Sequence, residues 1–497
     1  MGKIIQGMKK RITETTIALI WKKQQFDEQA VFQVYCDGQI VETVKSTNCT
    51  LKRLQSGTTY HVKVEAVDLA GNLIAVIDEA DVKTEEIRES VVITDFGAVG
   101  DGKTLNTQAI QSAIDACPKN GKVIVPEGKF LTGALHLKSD MTLCIKQDGV
   151  ILGSSRLEDY PIYQYRFEGL ETNCYASLIN AGIRDKEEVI ENITIEGHGA
   201  IDASGSKLRQ LERDERAGQP GRAICIRNAK NVYLKDITIK QSPAWCVHFI
   251  YSQEICCNHV MIYTRADENG NIYEGIANGD GIDIDSCRHV DIIHSVIATQ
   301  DDCIAIKSGR NAEGRQIAKP TEHVHISDCL FKTGFGIAVG SEMSAGIRDV
   351  TVHDCVFQNT YSIMSIKAPR PRGGVIEDVL CEDCIHFNYD TIYEDCEWFR
   401  GAIYVDQFYS YKDFNSDEKK PVGVATPEIR NITFRNLEVD TVTGNAIYLV
   451  GLPEMPLKNI TLDHVTAKGK NGIVIRNVEG LEQKNVSIIM HKPIGAK

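Results

Sequence analysis

His325-Ile326-Ser327-Asp328-Cys329-Leu330-Phe331 is followed by Thr351-Val352-His353-Asp354-Cys355-Val356-Phe357 and then by Val379-Leu380-Cys381-Glu382-Asp383-Cys384-Ile385. Each apolar run holds an Asp-Cys pair, with the cysteine at 329, 355 and 384. That recurrence falls within the roughly 20–45 residues of a solenoid repeat, in which each coil covers the apolar side chains of the next. Related copies at Val232-Tyr233-Leu234-Lys235-Asp236-Ile237, Val290-Asp291-Ile292-Ile293 and Ile429-Arg430-Asn431-Ile432-Thr433-Phe434 extend the array in both directions. The Leu-x-x-Leu-x-Leu frame of leucine-rich repeats is missing, so the period predicts an all-β fold, a right-handed parallel β-helix. The Asp-Cys ladder then reads as internal stacking, with cysteines that are structural.

Before the repeats the chain has another character. Thr16-Ile17-Ala18-Leu19-Ile20-Trp21, Val31-Phe32-Gln33-Val34-Tyr35 and Tyr60-His61-Val62-Lys63-Val64-Glu65-Ala66-Val67 are short period-2 runs separated by turn residues, the pattern of a small β-sandwich. Leu54-Gln55-Ser56-Gly57-Thr58-Thr59-Tyr60 and Asp68-Leu69-Ala70-Gly71-Asn72, with the early Trp21, resemble a fibronectin type III module. The charged stretch Lys83–Ser90 reads as a linker, which divides the chain into a sandwich over 1–88 and a β-helix over 89–497. The second part opens with a helical pattern, Asn106–Ala116, and a strand ended by a turn, Val123-Ile124-Val125-Pro126-Glu127-Gly128.

The chain has 497 residues, 42% of them hydrophobic and 25% charged, the composition of an ordinary soluble globular protein. No apolar stretch of secretory length follows Met1–Arg11 and no later segment approaches a membrane span, so a cytoplasmic location is expected. Many of the 16 cysteines lie in strand-like runs and read as reduced, buried thiols. Cys381 and Cys384 have CxxC spacing without a second pair, so neither a metal nor a cofactor is expected. A net charge of −13 argues against nucleic acid or an anionic membrane as partner. An acidic substrate would have to be held by a few local cations.

The chemistry is concentrated in Asn278-Gly279-Asp280-Gly281-Ile282-Asp283-Ile284-Asp285-Ser286 and Gln300-Asp301-Asp302-Cys303-Ile304-Ala305-Ile306-Lys307-Ser308-Gly309, which read as adjacent coils. An Asp beside a Gly is ordinary turn chemistry. Asp280, Asp301 and Asp302 together on successive coils point further. Crowded carboxyls cannot all ionise freely, so one remains a proton donor while a neighbour acts as base, as glycosidic hydrolysis requires.

From Val91 onward the chain resembles the polygalacturonase family, glycoside hydrolase family 28, and most of all its bacterial exo-acting members. The matching pieces are Asp95-Phe96-Gly97-Ala98 with Gly100-Asp101-Gly102, Gly197-His198-Gly199-Ala200-Ile201-Asp202, Ser242-Pro243-Ala244-Trp245, Asn278-Gly279-Asp280, Gln300-Asp301-Asp302-Cys303 and Gly340-Ser341-Glu342-Met343-Ser344. The resemblance implies a pectin lyase-like solenoid and inverting hydrolysis, with Asp301 as general acid and Asp280 with Asp302 activating water. Because successive strand residues face opposite ways, Asp301 and Asp302 can share a site only where the backbone bends. A local irregularity is therefore expected at that pair.

Two positions depart from the family. Its Arg-Ile-Lys triplet reads Ser365-Ile366-Lys367, and its Gly-His-Gly reads Gly334-Phe335-Gly336. Serine cannot replace a bidentate guanidinium, nor phenylalanine a hydrogen-bonding imidazole. Lys367, Lys307, Arg370 and Arg372 are the candidate cations for a substrate carboxylate. Tyr409, with Tyr404 and Tyr411 nearby, matches a leaving-group tyrosine of the family, and Trp245 and His248 resemble the wall of exo-acting relatives. His323 and His325 belong to the repeat and are weaker candidates.

The expected function is exo-hydrolysis of α-1,4-linked galacturonic acid oligosaccharides derived from pectin. Phe335 and Ser365 keep rhamnogalacturonan or xylogalacturonan fragments open as substrates. A polysaccharide lyase and a non-catalytic sugar-binding protein are the readings from other classes.

Overall fold

The structure is a computed structural model and describes residues 7–24, 26, 29–184, 188–215, 217–388, 400–409 and 415–491. The chain divides into two compact units, one running to Ser90 together with Asn120–Lys122, the other from Val91 onward.

In the first unit a three-stranded antiparallel sheet, in the order Lys9–Ile12, Ile17–Ile20, Asn48–Leu51, accompanies a four-stranded one, Gln39–Val44, Ala30–Cys36, Thr59–Asp68, Leu73–Lys83. Alternate residues Val62, Val64 and Ala66 turn inward and are fully buried beside Val34, Ile17 and Leu19. Trp21 closes this core edge-on to Phe32, ring centroids 5.3 Å apart. The Tyr60 hydroxyl accepts the Gln55 N–H at 2.8 Å, pinning the turn that leads into the longest pair of strands.

The second unit is a parallel β-helix. Among the described residues its strands form a 22-stranded and an 11-stranded sheet, with the hairpin Ile162–Phe167/Leu170–Tyr175 standing apart. Register is kept from coil to coil: Ile282 pairs with Ile304, Ile304 with Ile337, Ile337 with Met364 and Met364 with Ile403. These inward side chains are all fully buried, a continuous apolar column through the solenoid. Removing one, as in Ile304→Ala, would cost about 2–5 kcal/mol through lost burial and the cavity left behind.

The physical basis of the Asp-Cys repeat lies in its corners. Asp328, Asp354 and Asp383 have φ of 54°, 53° and 51°, the left-handed region that aspartate tolerates better than most residues. Each bends the coil, and the cysteine after it turns inward and is buried. A second corner runs through His289, His323, Asp349, Asp378 and Asn431, all with φ between 53° and 57°. His323 therefore stacks on His289 at 4.7 Å and pairs with Asp349, while His325 bonds His353. Both histidines serve the coils.

Candidate active site

The 11-stranded sheet carries the site. Gly281 N–H donates to Asp302 O at 2.9 Å and Ile282 N–H to Cys303 O at 3.1 Å, so the segments entering strands Ile282–Asp285 and Ile304–Lys307 lie side by side. Since Ile282 pairs with Ile304, Asp280 and Asp302 hold equivalent places on neighbouring coils.

Asp301 and Asp302 lie between strands, in a bend. Gln300 and Asp301 both donate their N–H to Gly279 O, each at 3.3 Å. Asp301 Oδ1 accepts the Asp302 N–H at 2.9 Å, and Asp301 O accepts the Phe335 N–H at 3.0 Å and the Thr299 hydroxyl at 2.7 Å. Gly334 and Gly336 have φ of 105° and 77°. A Cβ on Gly334 would fall 2.4 Å from Asp301 O and one on Gly336 2.0 Å from Ser362 O, so both glycines are needed for the close approach of coils beneath the bend. Between them the Phe335 ring stacks on Tyr361 at 4.7 Å.

Asp301 and Asp302 open into a pocket of about 210 Å³ shared with Asn278, Phe335, Ser362, Ser365, Lys367, Tyr404 and Tyr409. Its volume is below the roughly 300–1,000 Å³ of sites for drug-sized ligands and suits a single sugar ring. Lys367 Nζ lies 3.0 Å from Asp302 Oδ2 and 5.1 Å from the centre of the Tyr409 ring. Asp302 Oδ1 is buried without a protein hydrogen-bond partner, available to a water or hydroxyl. Ser365 Oγ is in the same condition.

Beneath the pocket lies a compact set of charges. Burial, then the nearby Asp283 and Asp301, push the Asp280 carboxyl well above the usual range. Burial raises Asp283 to about 8 despite Lys307, and burial with Asp302 raises Asp301 to about 6. Lys307 Nζ sits 3.2 Å from Glu342 Oε2 and 3.6 Å from Asp283 Oδ1. Burial opposes its charge, but these acids outweigh burial and hold it protonated. Burial likewise works against the Glu342 charge, and Lys307 and Arg372 overcome it, leaving the carboxyl at about 2. Arg166 meets Asp285 at 2.9 Å with both side chains fully buried, an ion pair that fixes the hairpin to the sheet.

Of the residues singled out in the sequence, Asp301, Asp302, Lys367 and Tyr409 come together around the pocket, and Asp280 lies beside them, 3% exposed and outside the lining. Five others stand elsewhere. Trp245 is 2% exposed, stacked on Phe167 at 4.7 Å and edge-on to His248, with Lys307 Nζ 4.8 Å from its centre. It positions Lys307 and presents no face to a sugar. His248 is fully buried, its imidazole pushed down to about 3 by burial. Arg370 pairs with Glu454 and packs over Phe408, and Arg372 donates to Ser341 O and Asn311 Oδ1, both at 2.8 Å. Neither arginine lines the pocket, because each neutralises an acid of the chain. Lys307 is also outside the lining and acts on carboxyls. Tyr404 lines the pocket and donates to Asp406 Oδ2 at 2.9 Å, whereas Tyr411 lies outside the described residues.

Sequence reasoning gave no role to Asp283, Glu342 or Arg166. Alternation in Ile282-Asp283-Ile284-Asp285 signals the first, since both aspartates must share the face opposite the isoleucines. Glu342 was visible only as part of a motif, and Arg166 reaches Asp285 from a hairpin remote in sequence.

A parallel β-helix with clustered carboxyls, one at about 6 in an open pocket and another paired with lysine, defines a carbohydrate hydrolase of the acid/base type. Residues 119–487 match the model of Glycosyl hydrolases family 28. A probable polygalacturonase of Vitis vinifera is 30% identical over 393 residues, 76% of this chain and 74% of its own. An exo-poly-alpha-D-galacturonosidase of Dickeya chrysanthemi is 30% identical over 371 residues, 66% of this chain and 60% of its own. Among solved structures, the Yersinia enterocolitica Family 28 Exopolygalacturonase has a TM-score of 0.77 and 21% identity, covering 97% of this chain and 96% of that one, a likeness of fold. The chain belongs to glycosyl hydrolases family 28 and is a glycoside hydrolase.

Proposed function

We propose that the protein hydrolyses α-1,4-linked galacturonic acid oligosaccharides derived from pectin, exo-acting from the non-reducing end and with inversion at the anomeric carbon. The observation that carries this reading is the contrast between Asp301, raised to about 6, and its neighbour Asp302, held by Lys367 at 3.0 Å. Adjacent carboxyls in unlike settings divide into acid and base. Asp301 protonates the glycosidic oxygen, and Asp302, with Asp280 beside it, takes the proton of the attacking water. Inversion requires room for that water between base and sugar, at an acid–base separation of roughly 6.5–9.5 Å.

The polygalacturonan-cleaving names of the Vitis and Dickeya relatives support the substrate, and the Dickeya name supports exo action. A second reading, exo-hydrolysis of rhamnogalacturonan or xylogalacturonan fragments, is favoured by Phe335 and Ser365 lining the pocket where the family has an imidazole and a guanidinium. The free state of every described cysteine supports a reducing compartment, the cytoplasm. The three-plus-four arrangement of antiparallel strands and the Tyr60 bond support a fibronectin type III-like first unit.

Proton NMR of trigalacturonate with the purified protein tests the function. Release of monogalacturonate first seen as the β anomer is expected. Turnover absent on galacturonides but present on rhamnose- or xylose-bearing fragments would replace the first reading by the second.

A further inference from the structure

The candidate cations read from the sequence are all engaged by acids: Lys367 by Asp302, Lys307 by Glu342 and Asp283, Arg370 by Glu454 and Arg372 by Glu342. In a chain of net charge −13 the overall field repels an acidic oligosaccharide. Among the described residues the catalytic pocket answers it with Lys367 alone, and that lysine already pairs with Asp302.

A second pocket, of about 560 Å³, supplies what the first lacks. The helix Gly205–Glu215 contributes Arg209, Glu212 and Arg213 to its lining, and Asn173 and Gln219 face them. The wall is fixed by backbone bonds: Gln219 N–H donates to Asn173 O at 2.8 Å, and Tyr175 N–H donates to Gln219 O at 2.9 Å. Gly221 N–H donates to Glu212 Oε1 at 3.0 Å and ties the helix to that wall. Arg209 Nη2 donates at 3.3 Å to Asn278 Oδ1, and Asn278 lines the catalytic pocket, so one pair of side chains links the two cavities.

Two polar atoms here are buried without protein hydrogen-bond partners, Arg209 Nε and Glu212 Oε2. Glu212 is 5% exposed. A buried guanidinium N–H left without a partner, as at Arg209 Nε, is costly unless a ligand completes it. Burial holds the Glu212 carboxyl up to about 7, so below neutral pH it cancels little of the arginine charge and can donate a hydrogen bond. The Arg209 Nε–H can give a carboxylate a charge-assisted hydrogen bond, with the Arg213 guanidinium, which also donates to Gly275 O, adding its charge beside it.

We propose that Arg209 and Arg213 form a carboxylate-binding subsite for a galacturonate residue of the oligosaccharide, on the side of the catalytic pocket bounded by Asn278. This rests on the galacturonan reading of the active site. A galacturonan repeats its carboxylate at every ring, so a chain threaded past Asn278 brings one to the arginines while another ring occupies the catalytic pocket.

The test is calorimetric titration of trigalacturonate into full-length Asp301→Asn, alone and combined with Arg213→Ala or Arg209→Gln, with the fully methyl-esterified trimer as the neutral probe. Loss of a charged hydrogen bond predicts binding about ten- to a hundredfold weaker for the acid in each arginine variant, and no change for the ester. Arg213 is exposed, so its variant folds even if the Arg209 variant does not. Unchanged affinity for the acid in Arg213→Ala overturns the subsite, as does equal weakening for acid and ester. If the unmodified enzyme turns over no galacturonide while Asp301→Asn still binds the acid in an Arg213-dependent way, the catalytic reading fails and the subsite stands. Absence of any binding by Asp301→Asn overturns both.

Discussion

Lys367 Nζ reaches Asp302 Oδ2 at 3.0 Å across the coil that carries Ile337–Gly340. Both side chains are less than a tenth exposed, so each removes a charge the other would otherwise leave stranded. Breaking a buried pair by deleting one partner costs about 3–5 kcal/mol, because the remaining charge has lost both water and its counter-ion. Lys367→Met is expected to lower unfolding free energy by about that amount in urea titrations and to cut turnover at least about a hundredfold. Lys367→Arg should recover much of the stability. Wild-type urea midpoints in Lys367→Met would show the pair to be immaterial.

Asp301, at about 6, must carry its proton to act as the acid. Raising pH through 6 empties that proton, so kcat/KM is expected to fall on an alkaline limb near that value. Asp301→Asn should reduce turnover by about a thousandfold or more while leaving oligosaccharide binding. Near-wild-type turnover by that variant would remove Asp301 from the mechanism. An alkaline limb that stays at the same pH when Lys367 is changed would show that the lysine does not act on the aspartate pair.

The fold was legible because its corners have a chemical requirement. Asp328, Asp354 and Asp383 recur where the backbone must turn left-handed, and a buried cysteine recurs behind each. The bend at Asp301 was also legible, since alternation forbids two neighbours on one face. Side-chain partners were not. Arg370, Arg372 and Lys307 look alike in sequence to a cation that holds substrate, and only the placement of Glu454 and Glu342 shows that each is occupied. Trp245 had the composition of a sugar platform, but Phe167 arrives from a remote hairpin to cover it.

Gly334 and Phe335 separate what the backbone needs from what the pocket uses. A Cβ at Gly334 would lie 2.0 Å from Thr299 Oγ1 and 2.4 Å from Asp301 O, at a φ of 105°. Gly334→Ala is expected to cost about 3 kcal/mol or more and to abolish activity by displacing Asp301. Phe335→His asks nothing of the backbone and places an imidazole on Tyr361 beside the aspartates. Higher activity on galacturonides is expected from it, measured as initial rates on trigalacturonate. A lower rate would mean that the pocket is shaped for another sugar.

Asp283 shows the opposite side of holding carboxyls together. Both its oxygens are buried without hydrogen-bond partners, and its carboxyl stands at about 8 against 3.8 when exposed. Above pH 3.8 the unfolded chain releases this proton, whereas the folded chain keeps it up to about 8. The folded state therefore binds more protons in that window, and the residue makes the protein progressively less stable as pH rises through it. Asp283→Asn removes the titration and leaves Lys307 its nearer partner, Glu342 at 3.2 Å. The variant is expected to gain stability over wild type between pH 5 and pH 8, on the order of 4 kcal/mol. Urea midpoints at the two pH values measure it, and a difference between variant and wild type that does not grow with pH would show that Asp283 is ionised and compensated in the folded protein.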